Sequence, residues 1–260
     1  MVTAVRNLAG HRGLLRLLVE RDLTVRYKRS LLGVWWTLLN PMLTMGVMWV
    51  VFSQLFHLQG GQVPYLVYLF SGLVVFTFFQ QVVTAVGASL TASSGLLSKV
   101  HVPAEVFSVA AALAVSVNFC ISAAVLLVIE VIAGPGLHLS LLLAPFSVVC
   151  LLAFATGLGL VLATLAVRFY DALDLSAVLI TLTGYLTPTF YPESIVPARF
   201  LPLLHANPLY SHLRVFRAVF FGQEFPPAWT IAVTAGSAAV MLLVGAAVFS
   251  RSWRSIAVML

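Results

Sequence analysis

Residues 30–98 contain no Asp, Glu, Lys or Arg. So long an uncharged stretch cannot cover a water-facing surface, and its only polar interruption is the short run His57 to Pro64. A bilayer core of ~30 Å takes about 20 apolar residues per helical crossing at ~1.5 Å per residue. The stretch therefore reads as two crossings, about 33–56 and 65–88, joined by a tight turn. Across the whole chain 61% of residues are apolar and 8% charged, against ~25% charged in ordinary soluble domains. With 260 residues, about six crossings fit and a large soluble catalytic domain does not.

The remaining crossings follow from the breaks in hydrophobicity. Segment 89–104 is more polar and carries Lys99; a third crossing spans about 106–133 and ends at Gly134-Pro135-Gly136. A fourth occupies about 141–167, and a brief charged loop covers 168–174. The fifth, about 175–191, is short and contains Gly184 and Pro188. Behind it, 192–228 holds Pro192, Pro197, Pro202, Pro208, Pro226 and Pro227, half of the twelve prolines. No long helix survives that density, so this region is expected to form short outer or re-entrant helices. In one of them Leu209, Leu213, Phe216 and Phe220 share a face, while Arg214 and Arg217 point elsewhere. A sixth crossing runs about 229–249. The expected fold is an all-α integral membrane protein with six transmembrane helices in 33–260, preceded by an N-terminal segment, 1–32.

That segment is amphipathic. On a helical wheel Leu14, Leu15, Leu17, Leu18 and Val19 form one broad face, opposite Arg12, Arg16 and Glu20. Such a helix lies along the membrane surface in contact with lipid. From Arg21 to Arg29 the charges circle the wheel, which suits contact with protein or headgroups. Net charge is +6, but seven of the fourteen basic residues precede the first crossing. This asymmetry reads as positive-inside topology rather than nucleic-acid binding. Eleven basic residues fall on one side, with Arg199, Arg214 and Arg217 on the other, so both termini are expected in the cytoplasm. The first apolar run is span-length, unlike the shorter core of a cleavable signal peptide. Cys120 and Cys150 lie in apolar runs, where thiols act as small hydrophobes.

Several chemistries are absent from the sequence. There is no G-x-x-x-x-G-K-[ST], so the chain has no nucleotide site of its own; G-x-S-x-G, H-E-x-x-H and clustered Cys/His ligands are likewise missing. An intramembrane transferase would require facing polar groups at depth. Within the spans the only acidic residue is Glu130, one turn from the outer end of the third, where an interfacial carboxylate near headgroups is the simplest reading. Trp35, Trp36, Trp229 and Trp253 stand at expected span ends, as interfacial aromatics do.

The run Arg21 to Trp36 (RDLTVRYKRSLLGVWW), followed by Asn40-Pro41, resembles the N-terminal signature of type-2 ABC-exporter permeases of the polysaccharide branch, which export O-antigen, teichoic acid or capsular chains. Lys99-Val100-His101-Val102-Pro103-Ala104-Glu105 is similar to that family's Lys-x-x-Phe-Pro-x-Glu stretch, with Val102 in place of the aromatic residue and Ala104 in place of a basic one. Arg168-Phe169-Tyr170-Asp171, Thr187 to Pro192 and Asn207-Pro208-Leu209 are weaker likenesses.

The resemblance implies a permease subunit in the bacterial inner membrane that pairs with a second copy of itself and with cytoplasmic ATPase subunits, which would bind the ATP and Mg. Its cargo would be a lipid-linked glycan. Coupling to the ATPase would then fall to Arg21, Asp22, Arg26 and Lys28 of the N-terminal helix, to Lys99, His101, Pro103 and Glu105 of the first inner loop, and to Arg168 and Asp171 of the second. Tyr65, Tyr68, Phe76 and Phe79 recur at helical spacing around Gly72 and suit stacking on sugar rings along a channel; ordinary helix packing is the competing reading. Gln80 and Gln81 beside them should face the protein interior or a cavity. Pro188, Tyr191, Arg214 and Arg217 are candidates for an outer gate, the arginines meeting the phosphates of a glycan lipid or membrane headgroups. A drug or lipid efflux permease is the nearest alternative, and an intramembrane glycosyl- or acyltransferase a more distant one.

Overall fold

The structure, a computed structural model, describes residues 10–28, 30–55, 64–97, 102–134, 136, 138–169, 171–222 and 226–259. Among these the chain is helical, with no strand. Helix α1 covers Arg12–Tyr27. A 3-10 turn, Gly33–Trp35, leads into α2, Trp36–Trp49, which continues as a π turn over Val50–Leu55. Then come α3, Tyr65–Ala92, and α4, Glu105–Ala133. A 3-10 turn, Leu139–Leu143, opens α5, Ala144–Arg168, and α6 follows as Ala172–Leu186. Two short helices, α7 (Leu201–Ala206) and α8 (Pro208–Phe220), precede the long α9, Ala228–Met259.

Among the described residues four segments are long and apolar enough to cross a bilayer: Tyr65–Ala92, Glu105–Ile132, Leu139–Arg168 and Ala228–Ser252. Two of the six expected crossings are represented by shorter apolar helices, Trp36–Phe52 and Ala172–Leu186. The fifth apolar helix stops at Leu186 rather than Tyr191. Its end is set by Pro188: a residue before proline is driven out of the helical region, and Thr187 is extended at φ −101°, ψ 137°.

Helix α3 is apolar around most of its circumference and occupies the centre of the bundle. Val67, Leu69, Phe70, Val82, Val86 and Leu90 have no exposed surface, and α3 packs against α2, α4, α5, α6 and α8. Helix α9 lies along α5 at unusually close range. A Cβ on Gly157 would sit 2.3 Å from the Met241 carbonyl, and one on Gly245 2.2 Å from the Gly157 oxygen. These backbones touch because neither position carries a side chain, the arrangement that favours helix association where lipid supplies no hydrophobic drive.

Helix α1 is amphipathic as expected, but its apolar face is seated on protein. Leu14, Leu15, Leu18 and Val19 pack on Val106, Phe107 and Ala110 at the start of α4, while Leu17 stays 63% exposed. Helix α8 departs further from a one-faced amphipathic helix. It is inserted against α3, α5 and α9, and Arg214 is its one half-buried residue between Leu209 and Phe220, the rest being buried. Consecutive helices on short connections run antiparallel, so residues 94–97, 102–105, 168, 169 and 171 share one end of the bundle and 187–222 the other.

Candidate functional site

Between α2, α3 and α4 lies a cleft of ≈ 270 Å³ whose lining, among the described residues, carries no charged side chain. Each helix supplies polar groups on one face: Thr37, Asn40 and Thr44 from α2 at i, i+3, i+7; Thr77, Gln80 and Gln81 from α3; Asn118 and Ser122 from α4 at i, i+4. Trp36, Phe76, Phe78 and Phe119 provide aromatic surface beside them. Gln80 is exposed and Gln81 half-buried, so the carboxamides stand at the open edge of the cleft. Amides and hydroxyls that donate and accept without charge, together with flat rings, can bind a polyhydroxylated neutral ligand and still let it move.

One corner of the cleft is closed by Tyr27, the last residue of α1. Its hydroxyl donates to Asn118 Oδ1 at 2.5 Å and lies 2.6 Å from Thr37 Oγ1. This pair of contacts ties the N-terminal helix to α2 and α4, two of the three walls. Thr37, Thr44, Asn118 and Ser122 were not among the residues singled out from the sequence, and Asn40 was named only within the family likeness, although polar residues at helical spacing inside apolar runs are the signal that marks them.

The aromatic row on α3 faces protein. Tyr65 and Phe79 are buried in the core, Tyr65 and Tyr68 stack at 6.3 Å, and Phe79 stacks on Phe154 of α5 at 5.9 Å. Phe76 abuts α6, where a Cβ on Gly184 would come within 2.4 Å of its ring. The tyrosine hydroxyls reach the segment after α6: Tyr65 donates to the Phe190 carbonyl at 2.6 Å and Tyr68 to that of Tyr191 at 3.0 Å. Within one chain the row is thus the seat of α6 and of 187–191, with Phe76 alone of the four also lining the cleft.

At the outer end the gate candidates are drawn together around that segment. Pro188 is buried, and Tyr191 is half-buried with its hydroxyl donating to the Tyr185 carbonyl at 3.0 Å. Arg217, expected among phosphates or headgroups, is 8% exposed and hydrogen-bonds to Tyr68, Ser71, Pro188 and Thr189. Glu193 accepts from the Tyr210 hydroxyl, and its Oε1 lies 3.0 Å from His205 Nε2. Burial alone would push the Glu193 carboxyl up; the Tyr210 and His205 hydrogen bonds and the Arg214 charge outweigh it and hold it below its ordinary value. Asn207 caps α8 by accepting from the Leu209 amide at 3.0 Å and donates to Thr187 Oγ1 at 2.9 Å. Glu130, expected near headgroups, is instead fully enclosed, with neither oxygen hydrogen-bonded among the described residues.

At the opposite end a cavity of ≈ 510 Å³ separates α1 from α3 and α4, with Arg21, Asp22 and Arg26 on one wall and Ser89, Ser93 and small alanines on the other. Arg21 is bound to Asp22 at 2.9 Å; Arg26 and Lys28 are exposed. Glu105 begins α4 and Pro103 lies two residues before it, beside the α1 contact, with Val102 in that same apolar cluster. Arg168 and Asp171 are exposed at the α5–α6 turn. Lys99, His101 and Tyr170 lie outside the described residues. Among the described residues no group of three or more His, Cys, Asp or Glu is placed to hold a metal.

Long apolar helices, with charges gathered toward the bundle ends, define a multi-pass membrane protein. The chain belongs to the ABC-2 type transporter family, which it matches over residues 13–221. It is 31% identical over 252 residues to the O-antigen export system permease protein RfbA of Myxococcus xanthus, a match covering 96% of both chains. A protein of the same name from Klebsiella pneumoniae is 25% identical over 240 residues, 92% of this chain and 91% of the relative.

Proposed function

We propose that this chain is the membrane-spanning subunit of an exporter that moves a lipid-linked polysaccharide across the bacterial inner membrane. The observation that carries the reading is the uncharged cleft between α2, α3 and α4, whose amides, hydroxyls and rings suit a neutral sugar chain. A drug or lipid path would call for an apolar lining. The names of the relatives, O-antigen export permeases, agree with a glycan cargo.

In this reading the two shorter apolar helices, Trp36–Phe52 and Ala172–Leu186, complete six crossings with both termini in the cytoplasm. Met42, Leu43 and Val47 on α2 and Leu175, Val178 and Leu182 on α6 are exposed in the single chain, and a second copy covers them so that two clefts enclose one path. Energy comes from separate cytoplasmic ATPase subunits holding ATP and Mg. Residues Arg21, Asp22, Arg26, Lys28, Lys99, His101, Pro103, Glu105, Arg168 and Asp171 transmit it, with α1 passing movement to the cleft through Tyr27.

Co-expression with a candidate ABC ATPase subunit, purification of the complex and assay of ATP hydrolysis test the reading. The expected result is a stable complex whose hydrolysis responds to lipid-linked glycan. Failure to bind any such ATPase overturns it.

A further inference from the structure

Segment 187–191 runs without helical hydrogen bonding inside the bundle, where each carbonyl needs a partner other than water. Four successive carbonyls are met by side chains from two other helices. Arg217 Nη1 donates to Pro188 O at 2.8 Å and Nη2 to Thr189 O at 3.1 Å. Tyr65 and Tyr68 hold the Phe190 and Tyr191 carbonyls. The same guanidinium also donates to the Tyr68 hydroxyl at 2.8 Å, the Tyr68 carbonyl at 3.2 Å and Ser71 Oγ at 3.2 Å. It lies 3.7 Å over the Tyr68 ring.

Among the described residues these partners are all neutral oxygens and a ring, with no carboxylate among them. A planar fork with donors on three nitrogens can serve α3 and 187–191 together, which a point-like ammonium cannot. Gly72 makes room for the arrangement: a Cβ there would fall 2.4 Å from Thr189 O and 2.7 Å from Arg217 Nη2.

We propose that Arg217 is a positioning residue for export: it clasps α8, α3 and segment 187–191 into one unit and so sets where Tyr191 stands in the outer groove, rather than meeting the phosphates of the cargo. That groove, ≈ 700 Å³, is lined by Tyr191 with Leu186, Ile195, Phe200 and Leu203. The proposal rests on the export reading above.

The test uses the purified complex with its ATPase and reads two quantities in parallel, glycan export in reconstituted vesicles and hydrogen exchange of the peptide holding 187–191. The variants are Arg217→Lys, Arg217→Gln, Gly72→Ala, and Arg217→Lys combined with Gly72→Ala. Gly72→Ala keeps the charge yet displaces the carbonyl it holds. The expected result is that Arg217→Lys and Gly72→Ala each accelerate exchange about tenfold or more, as for loss of a hydrogen bond to a charged group. Each also reduces export, and the double variant is no worse than the more severe single one. If Arg217→Lys and Gly72→Ala export normally while Arg217→Gln does not, the charge acts on the cargo and the proposal is overturned. Unchanged exchange in all variants overturns it as well. Tyr68→Phe, which loses the hydroxyl contacts but keeps the ring, substitutes for any variant that does not assemble. A wild-type complex that exports no glycan defeats the export reading, while the exchange measurement still decides whether Arg217 holds the segment.

Discussion

The Tyr27 hydroxyl donates to Asn118 Oδ1 across 91 residues of sequence, joining the last turn of α1 to the middle of α4. It also touches Thr37, so the end of the N-terminal helix is pinned to α2 and α4, two of the three walls of the cleft. A neutral hydrogen bond of this kind contributes about 1 kcal/mol, which is small for the fold but large for a mechanical link. Tyr27→Phe is therefore expected to leave assembly and basal ATP hydrolysis intact while lowering the hydrolysis response to glycan. Measuring stimulated against basal hydrolysis checks this; an unchanged ratio would show that coupling bypasses Tyr27.

Helix α1 is held by few residues. Leu18 is 4% exposed and meets Val106, Phe107 and Ala110. Leu18→Ala should cost about 2 kcal/mol of docking energy, and Leu18→Asp more. Proteolysis within 12–27 is expected to become faster in both variants while the melting of the remaining bundle stays near wild type. A parallel loss of bundle stability would mean α1 is integral to it.

The α5–α9 crossing depends on bare backbone at Gly157 and Gly245. Either residue changed to alanine places a methyl inside the opposing main chain, and overpacking of this sort costs about 1–3 kcal/mol. Thermal unfolding of the detergent-solubilised protein should show a lowered midpoint for each, with the double variant less than additive because both act on one contact.

At the outer end Glu193 gives a pH dependence whose sign follows from its partners. Its carboxyl is held low in the folded protein, so the stability it adds is complete above the unfolded pKa and fades as the pH falls through the folded one. Hydrogen exchange over 193–210 should quicken on acidification through that range. Glu193→Gln should flatten the dependence and raise exchange at neutral pH. A profile unaffected by Glu193→Gln would place the titration elsewhere.

Much of the helical layout was legible because charge is expensive in lipid: the uncharged runs marked the helices at Tyr65, Glu105 and Leu139 to within a few residues. Pro188 was in plain sight too, yet the fifth helix was extended to Tyr191, past the point where Thr187 turns out of helical geometry. The seating of Arg217 had no local signal. Its partners are neutral oxygens, with Ser71 146 residues away, and counting basic residues by side treats every outer arginine as a surface group. The aromatic row on α3 was visible as a row, but spacing gives the face and not its neighbour. Only the fold brings α6 and 187–191 against it.

The central claim is that a neutral sugar chain passes along the cleft walled by α2, α3 and α4. The most direct measurement is ATP-driven translocation of a lipid-linked glycan in vesicles reconstituted with the chain and its ATPase, comparing wild type with a variant in which Asn40, Gln80 and Gln81 are replaced by leucine. The account predicts ATP-dependent transport by the wild type and its loss in the variant, with assembly and basal hydrolysis retained. Transport by the variant at the wild-type rate would contradict it.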